Sequence, residues 1–252
     1  MPNRSSKLYQ TRYALSHPGR VLPHTRRLAR DTWLRLVSPD HVGYYRAVMR
    51  SDTARSADRA VGSQDREHWL ALGKLQFDYL IGHGLRPTDR MLEIGCGNLR
   101  AGWRFIEHLA PGHYHGVDIS PDILLAARRT VVEFGLQAKL PNLGLVQGLD
   151  LACLPDAHFT VVHAHSVFSH SPRGVIEQCL ANVGRILHPE GFFDFTFDRT
   201  EDVEHQVLRE DFYYRAESLI ELAGRYGLRG ELMADWEALP HKQSKIRVVH
   251  AA

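Results

Sequence analysis

The chain has 252 residues, 44% hydrophobic and 24% charged. That is a globular mix with enough apolar mass for a core, and it excludes a chain disordered throughout, a collagen-like repeat and a coiled coil. No window approaches the ~18 consecutive apolar residues of a membrane span, and Met1 to Lys7 leads into arginines rather than a hydrophobic signal core, so a cytoplasmic protein is expected. Cys96, Cys153 and Cys179 are widely spaced with no CxxC, which argues against a disulfide framework and a cysteine zinc site.

The net charge of +2 hides an asymmetry. Residues 1–60 carry +8 and residues 61–252 carry −6, which divides the chain into a basic amino-terminal extension, partly helical or disordered, and a second region read as one domain. Such an extension suits an anionic membrane surface, nucleic acid or an acidic partner, against the plainer reading of a solvated tail. Within it a helix is predicted over 25–37, with Leu28, Trp33, Leu34 and Val37 on one side and Arg26, Arg27, Arg30 and Arg35 spread around it.

From Gly62 onward, strand-length apolar runs alternate with amphipathic helical stretches, the rhythm of a parallel α/β sheet. Ser63, Asp65 and Glu67 start a helix carrying Trp69, Leu72, Leu75 and Leu80, which ends near Gly82 and Gly84. A strand over 90–94 is followed by a helix over 99–109, a strand over 113–118, and a helix opened by Ser120-Pro121-Asp122 that stops near Gly135. Further strands are predicted over 143–148, 159–164 and 191–197, with a helix over 173–187. After a helix over 216–226, strands over 228–233 and 244–249 form an antiparallel pair at the sheet edge.

The first strand-to-helix turn carries the chemistry. Gly95-Cys96-Gly97 lets a ligand approach backbone at a helix start. Asp118, 21 residues beyond Gly97 at the end of the second strand, can accept both hydroxyls of a ribose. Arg100 stands where a dinucleotide fingerprint needs its third glycine, which makes a nicotinamide-dependent oxidoreductase the alternative reading.

Met91-Leu92-Glu93-Ile94-Gly95-Cys96-Gly97 and Gly116-Val117-Asp118-Ile119-Ser120 resemble the first two motifs of the class I S-adenosylmethionine-dependent methyltransferases. Val161 to His170 and Leu187 to Phe192 are similar to their fourth-strand segment and the turn into their fifth strand. The resemblance implies a doubly wound, Rossmann-like seven-stranded sheet, mostly parallel, with an antiparallel carboxyl-terminal strand pair and S-adenosyl-L-methionine as cofactor. It assigns Glu93, Gly95, Cys96, Gly97, Asp118 and Ile119 to the cofactor, with Arg100 as a partner for the methionine carboxylate and Asp150 as the candidate acid beyond the third strand. The Asn98-Leu99-Arg100 turn, with Trp69, Gly73 and Gln76 before it, also resembles a bacterial branch found with carbohydrate-modifying enzymes. A non-catalytic, cofactor-binding member is the other class of reading.

Methyl transfer to a hydroxyl needs alignment and a proton acceptor. His163, His165 and His170 cluster at and after the fourth strand; His170 is the candidate base, with His165 beside the cofactor or assisting, and no metal is predicted. Asp194 and Asp198 share a strand face but need not hold an ion. Tyr214 and His241 are candidates for an acceptor wall, alongside Phe212, Tyr213 and Trp236. The Asn/Asp-Pro-Pro-Tyr turn of amino-directed DNA methylation is absent, as is a Pro-Cys nucleophile, so nucleic acid is disfavoured. A small-molecule or glycan hydroxyl, including that of a sugar, is the expected acceptor, and a homodimer is an open expectation.

Overall fold

The computed structural model describes residues 29–207, apart from 31, 35 and 39, and residues 211–251. The chain divides into two compact units, residues 1–48 and 49–252, a division that falls inside the stretch set apart by charge. In the first unit residues 29–30, 32–34 and 36–37 are helical; residues 25–28, Asp31 and Arg35 of the predicted helix lie outside the described residues. Helix α1, His41–Arg55, spans the division.

The second unit continues with α2, Ala57–Ala60, N-capped by Ser56, and α3, Arg66–Gly82. Of the residues expected to start α3, Asp65 caps it by accepting the His68 N–H at 2.8 Å, and Ser63 is buried ahead of it. Then follow β1 Met91–Ile94, α4 Gly102–His108, β2 Tyr114–Asp118, α5 Pro121–Glu133, β3 Asn142–Leu145, β4 Phe159–Ala164, α6 Arg173–Ile186 and β5 Leu187–Arg199. The chain ends in β6 His205–Val207, β7 Asp211–Tyr214, α7 Ala216–Gly224, β8 Leu228–Leu232, α8 Ala234–Glu237 and β9 Ser244–His250. Helix α5 begins as its sequence dictates: Ser120 accepts the Ile123 N–H and Pro121 takes the first helical position. Helix α4 starts three residues later than predicted, because Leu99 has φ 64°, a left-handed conformation no helix accommodates.

Seven strands form the main sheet in the order β3-β2-β1-β4-β5-β9-β8, with β9 antiparallel to both neighbours. The predicted pair is therefore present, with β9 inserted beside β5 and β8 at the edge. An added antiparallel ribbon, β6–β7, extends the carboxyl end of β5 by parallel pairing of Asp198 with Tyr213. No sequence alternation marks this ribbon, because its strands are three and four residues long.

Period-two alternation sorts the sheet into two faces. Leu92, Val162, Phe193, Phe195, Ile246 and Val248 pack against α6 and α7. Met91 and Val161 lie opposite, with Trp69, Tyr79 and Leu80 of α3, Phe105 of α4 and Leu124 of α5. On that second face the register aligns Glu93, His163, Asp194 and Arg247 in one row. One pleat nearer the carboxyl ends, Thr196 pairs with Lys245. Apolar packing thus gives way to a buried polar layer where the strands end.

Candidate active site

The Gly95–Gly97 turn is closed from within. Gly95 and Cys96 donate their N–H groups to Val117 O, Gly97 donates to Asp118 Oδ2 at 3.0 Å, and Leu99 donates to Cys96 O. The expectation that these N–H groups meet a ligand is therefore corrected: they already satisfy β2 and the turn. Both glycines have positive φ, and a Cβ would stand 2.4 Å from Val167 Cγ2 at Gly95 and 2.7 Å from Val61 Cγ1 at Gly97. The glycine requirement thus has a packing cause as well as a backbone one.

Asn98 clamps the turn. It accepts from Trp69 Nε1 at 2.9 Å, donates to Asp58 Oδ1 at 2.7 Å, and its carbonyl accepts from Thr130. Gly73 of α3 lies so close that a Cβ would be 2.0 Å from the Arg100 carbonyl oxygen. This contact gives a physical reason for Trp69 and Gly73 in the helix before β1. Sequence reasoning missed Asp58, which falls in the stretch assigned to the extension, and Val61, the first residue beyond it.

Three charges meet beneath the turn. Burial pushes the Glu93 carboxyl up to about 7 against the opposing pull of the Tyr114 hydroxyl, which donates to it, and of Arg100. Arg100 is buried and drawn down to about 10 by desolvation; one Nη donates to Val61 O, and its Nε has no hydrogen-bond partner among the described residues. Asp118 is raised to about 6 by burial, partly offset by N–H donation from Ser120 and Gly97. Cys96 is a packing residue: its Sγ would lie 3.0 Å from a Cβ on Gly116. Ile119 is half-buried against the core. Asp150 departs from its expected role, since it is exposed and bonds the Ala152 N–H of its own turn, while Leu149 occupies the buried position.

Beyond β4, His163 is fully buried with Nε2 3.4 Å from Gln76 Oε1, and half-buried His165 stands edge-on to Trp236 at 5.8 Å. Burial, reinforced by Arg100 and Lys245, keeps both imidazoles well below their ordinary range and so neutral. Lys245 is fully buried between the Tyr79 and Trp236 rings, and Asp194 is gripped by Arg247 at 2.6 and 2.8 Å. Asp194 is thereby committed to structure. Gln243 roofs the strand ends by accepting from Ser166 and Thr196, each at 2.9 Å.

His170 ends a short turn after β4, with Nδ1 3.3 Å from Asp211 Oδ1. Half-buried Asp198 lies near this pair: burial raises its carboxyl, while Gln243 and His170 hold it down. The two acceptor-wall candidates are corrected. Tyr214 is buried in the core and donates to Ser171 O at 2.8 Å. His241 accepts the Gln243 N–H at Nδ1, so its Nε2 donates to Trp236 O, and the ring serves the roof loop. Among the described residues no group of three or more His, Cys, Asp or Glu side chains can hold a metal ion, and no helix is long and apolar enough to cross a membrane.

Residues 92–193 match a family described as methyltransferase domain. The probable methyltransferase ltbC of Aspergillus luteorubrus is 26% identical over 161 residues, 61% of this chain and 52% of its own, so the chain spans about half the length of that curated relative. Among solved structures, magnesium protoporphyrin IX methyltransferase from Synechocystis PCC 6803 with bound SAM superposes with a TM-score of 0.63 at 13% identity, over 85% of this chain and 99% of its own. The CcbJ methyltransferase from Streptomyces caelestis gives 0.57 at 18% identity, over 71% and 90%. A TehB-like SAM-dependent methyltransferase from Corynebacterium glutamicum gives 0.54 at 18%, over 81% and 98%. Residues 92–193 thus resemble a methyltransferase domain, and the chain shares the Rossmann-like α/β sheet of these solved methyltransferases.

Proposed function

We propose that this domain transfers a methyl group from S-adenosyl-L-methionine to a hydroxyl oxygen of a small molecule or glycan, with a sugar hydroxyl as the first class to test. The observation that carries the cofactor reading is the Asp118 carboxylate held by the Gly97 N–H at the carboxyl ends of β1 and β2, where a ribose diol finds two acceptor oxygens. The donor set fits the rest of the molecule: Glu93 offers negative charge to its cationic end, and the buried, unpartnered Arg100 Nε is a donor for a carboxylate.

When bound, S-adenosylmethionine supplies an electrophilic methyl carbon on a sulfonium. The chain's own residues align the acceptor and take its proton. His170, at the mouth beyond β4, is the candidate base. Neutral, half-buried His165 flanks the approach, and the roof of Trp236, His241 and Gln243 limits water around it. The basic extension is a candidate for contact with an anionic surface.

Calorimetry with S-adenosylmethionine, its demethylated product and NADH tests the cofactor. Binding of the first two in the micromolar range is expected, whereas NADH binding without them would refute the reading. Labelled-methyl transfer to sugars, glycolipid precursors and phenolic metabolites identifies the acceptor. His170→Ala should then lower kcat by ~10²–10⁴ with cofactor affinity unchanged; retained turnover removes the base assignment.

A further inference from the structure

The helical segment that ends at Val37 turns an apolar face to solvent. Trp33, Leu36 and Val37 stand at i, i+3 and i+4, so the helical period brings them to one side. They are 61%, 78% and 57% exposed. Ser38 N donates to Leu34 O at 3.0 Å and closes the last turn around this face. Pro39 follows in the sequence, which disfavours helix at Ser38, and Ser38 is indeed outside it.

In the sequence this face lies within a strongly basic stretch. Residues 1–37 hold eight Arg and Lys side chains, Arg26, Arg27, Arg30 and Arg35 among them, against the single acid Asp31. The resulting +7 is most of the +8 carried by residues 1–60. Charge and apolar face together select the partner. Nucleic acid answers the arginines but leaves Trp33, Leu36 and Val37 in water. A second copy covers the apolar face but sets +7 against +7. An anionic bilayer meets both needs: its headgroups neutralise arginines close to the surface, and its headgroup–acyl boundary takes an apolar helix face, with tryptophan favoured at that depth. The long arginine stems let their charged heads stay among the phosphates.

We propose that the Trp33–Leu36–Val37 face inserts into the headgroup boundary of an anionic phospholipid bilayer, with the arginines around it on the lipid phosphates. The helix lies in the surface, since it is far shorter than a membrane span. This inference rests on the reading of the basic extension as a contact for an anionic surface, and it is independent of methyl transfer, because its test needs neither cofactor nor acceptor.

The full-length chain carries its own reporter. Trp69 and Trp236 are fully buried and Trp103 is nearly so, which leaves Trp33 as the tryptophan open to iodide. Titration with vesicles of phosphatidylcholine mixed with phosphatidylglycerol should show binding at least ~10-fold tighter than to phosphatidylcholine alone, with Trp33 emission shifted to the blue and its iodide quenching lost. Trp33→Ala, Leu36→Ser and Val37→Ser combined should weaken binding at least ~10-fold, with thermal unfolding unchanged because all three side chains are exposed. Arg26→Glu with Arg27→Glu should weaken it too, most strongly at low salt. If the apolar variant binds as the wild type does, or Trp33 stays open to iodide on the vesicle, contact is by charge alone: the insertion proposal fails and the anionic-surface reading stands. Binding of polyuridylate without binding of vesicles overturns the proposal, as does shielding of Trp33 that grows with protein concentration in the absence of lipid. A chain that binds neither kind of vesicle overturns both readings.

Discussion

Gly73→Ala tests the most demanding contact in the fold. Alanine is favoured over glycine by ~1 kcal/mol in a helix interior, so propensity alone predicts a more stable protein. The structure predicts the opposite. A Cβ at position 73 would lie 2.0 Å from the Arg100 carbonyl oxygen and 2.9 Å from its carbon, both backbone atoms, where ordinary contact begins at 3.4 Å. Either α3 or the turn must retreat by more than an ångström, and the turn is clamped by Asn98 to Trp69, Asp58 and Thr130. Overpacking of this kind costs ~1–3 kcal/mol, occasionally more, leaving after the propensity gain a net loss of up to about 2 kcal/mol and a melting point lower by up to ~8 °C for a domain of this size. Gly82→Ala in the same helix is the control: nothing lies within 4 Å of its Cβ position, and it should be neutral or stabilising by up to ~1 kcal/mol. Urea and thermal unfolding compare the two, and calorimetry adds weaker cofactor binding by Gly73→Ala. If Gly73→Ala unfolds no earlier than Gly82→Ala, α3 does not rest on the turn and the account of this site is wrong.

Asp118→Ala should weaken S-adenosylmethionine binding by ~10–150-fold, the loss of a charged hydrogen-bonding partner worth ~1.5–3 kcal/mol. Because burial raises Asp118 to about 6, wild-type affinity should fall as pH drops through that value, and the dependence should vanish in Asp118→Asn; a flat wild-type profile in calorimetry contradicts the assignment. Asp194→Asn should cost ~3–5 kcal/mol by leaving Arg247 and Lys245 without their shared carboxylate, measured by denaturant unfolding. Lys245→Met should cost far less, since methionine fits between Tyr79 and Trp236. Lys245 has its folded pKa lowered by burial to about 8 from 10.5, so the unfolded chain holds the extra proton in that interval. This group makes stability rise with pH between those values, and Lys245→Met should remove that contribution. A chain of residues 49–252 should bind cofactor, whereas one of residues 62–252, lacking Asp58 and Val61, should bind it more weakly; equal affinity would mean that the segment over the turn is dispensable.

The alternating order of elements was readable in the chain because each rests on local rules. Ser120-Pro121 starts α5 by capping chemistry, 159–164 carries its own strand pattern, and the Gly95–Gly97 turn with Asp118 is legible from spacing. Other features depend on partners far away in sequence, and no window of residues contains them. Leu99 looks helical, yet it takes a left-handed turn because Asn98 is held by three separate elements. Glycine at 73 reads as a poor helix residue until Arg100 O is found against it. Tyr214 and His241 read as wall residues because exposure cannot be inferred from residue type, whereas their hydrogen bonds to Ser171 and Trp236 hold them to the protein itself. The ribbon β6–β7 carried no signal at all. It comes from a strand pairing that joins β5 to a four-residue β7, too short to have a period of its own, and pairing of that kind is decided only when the chain has folded.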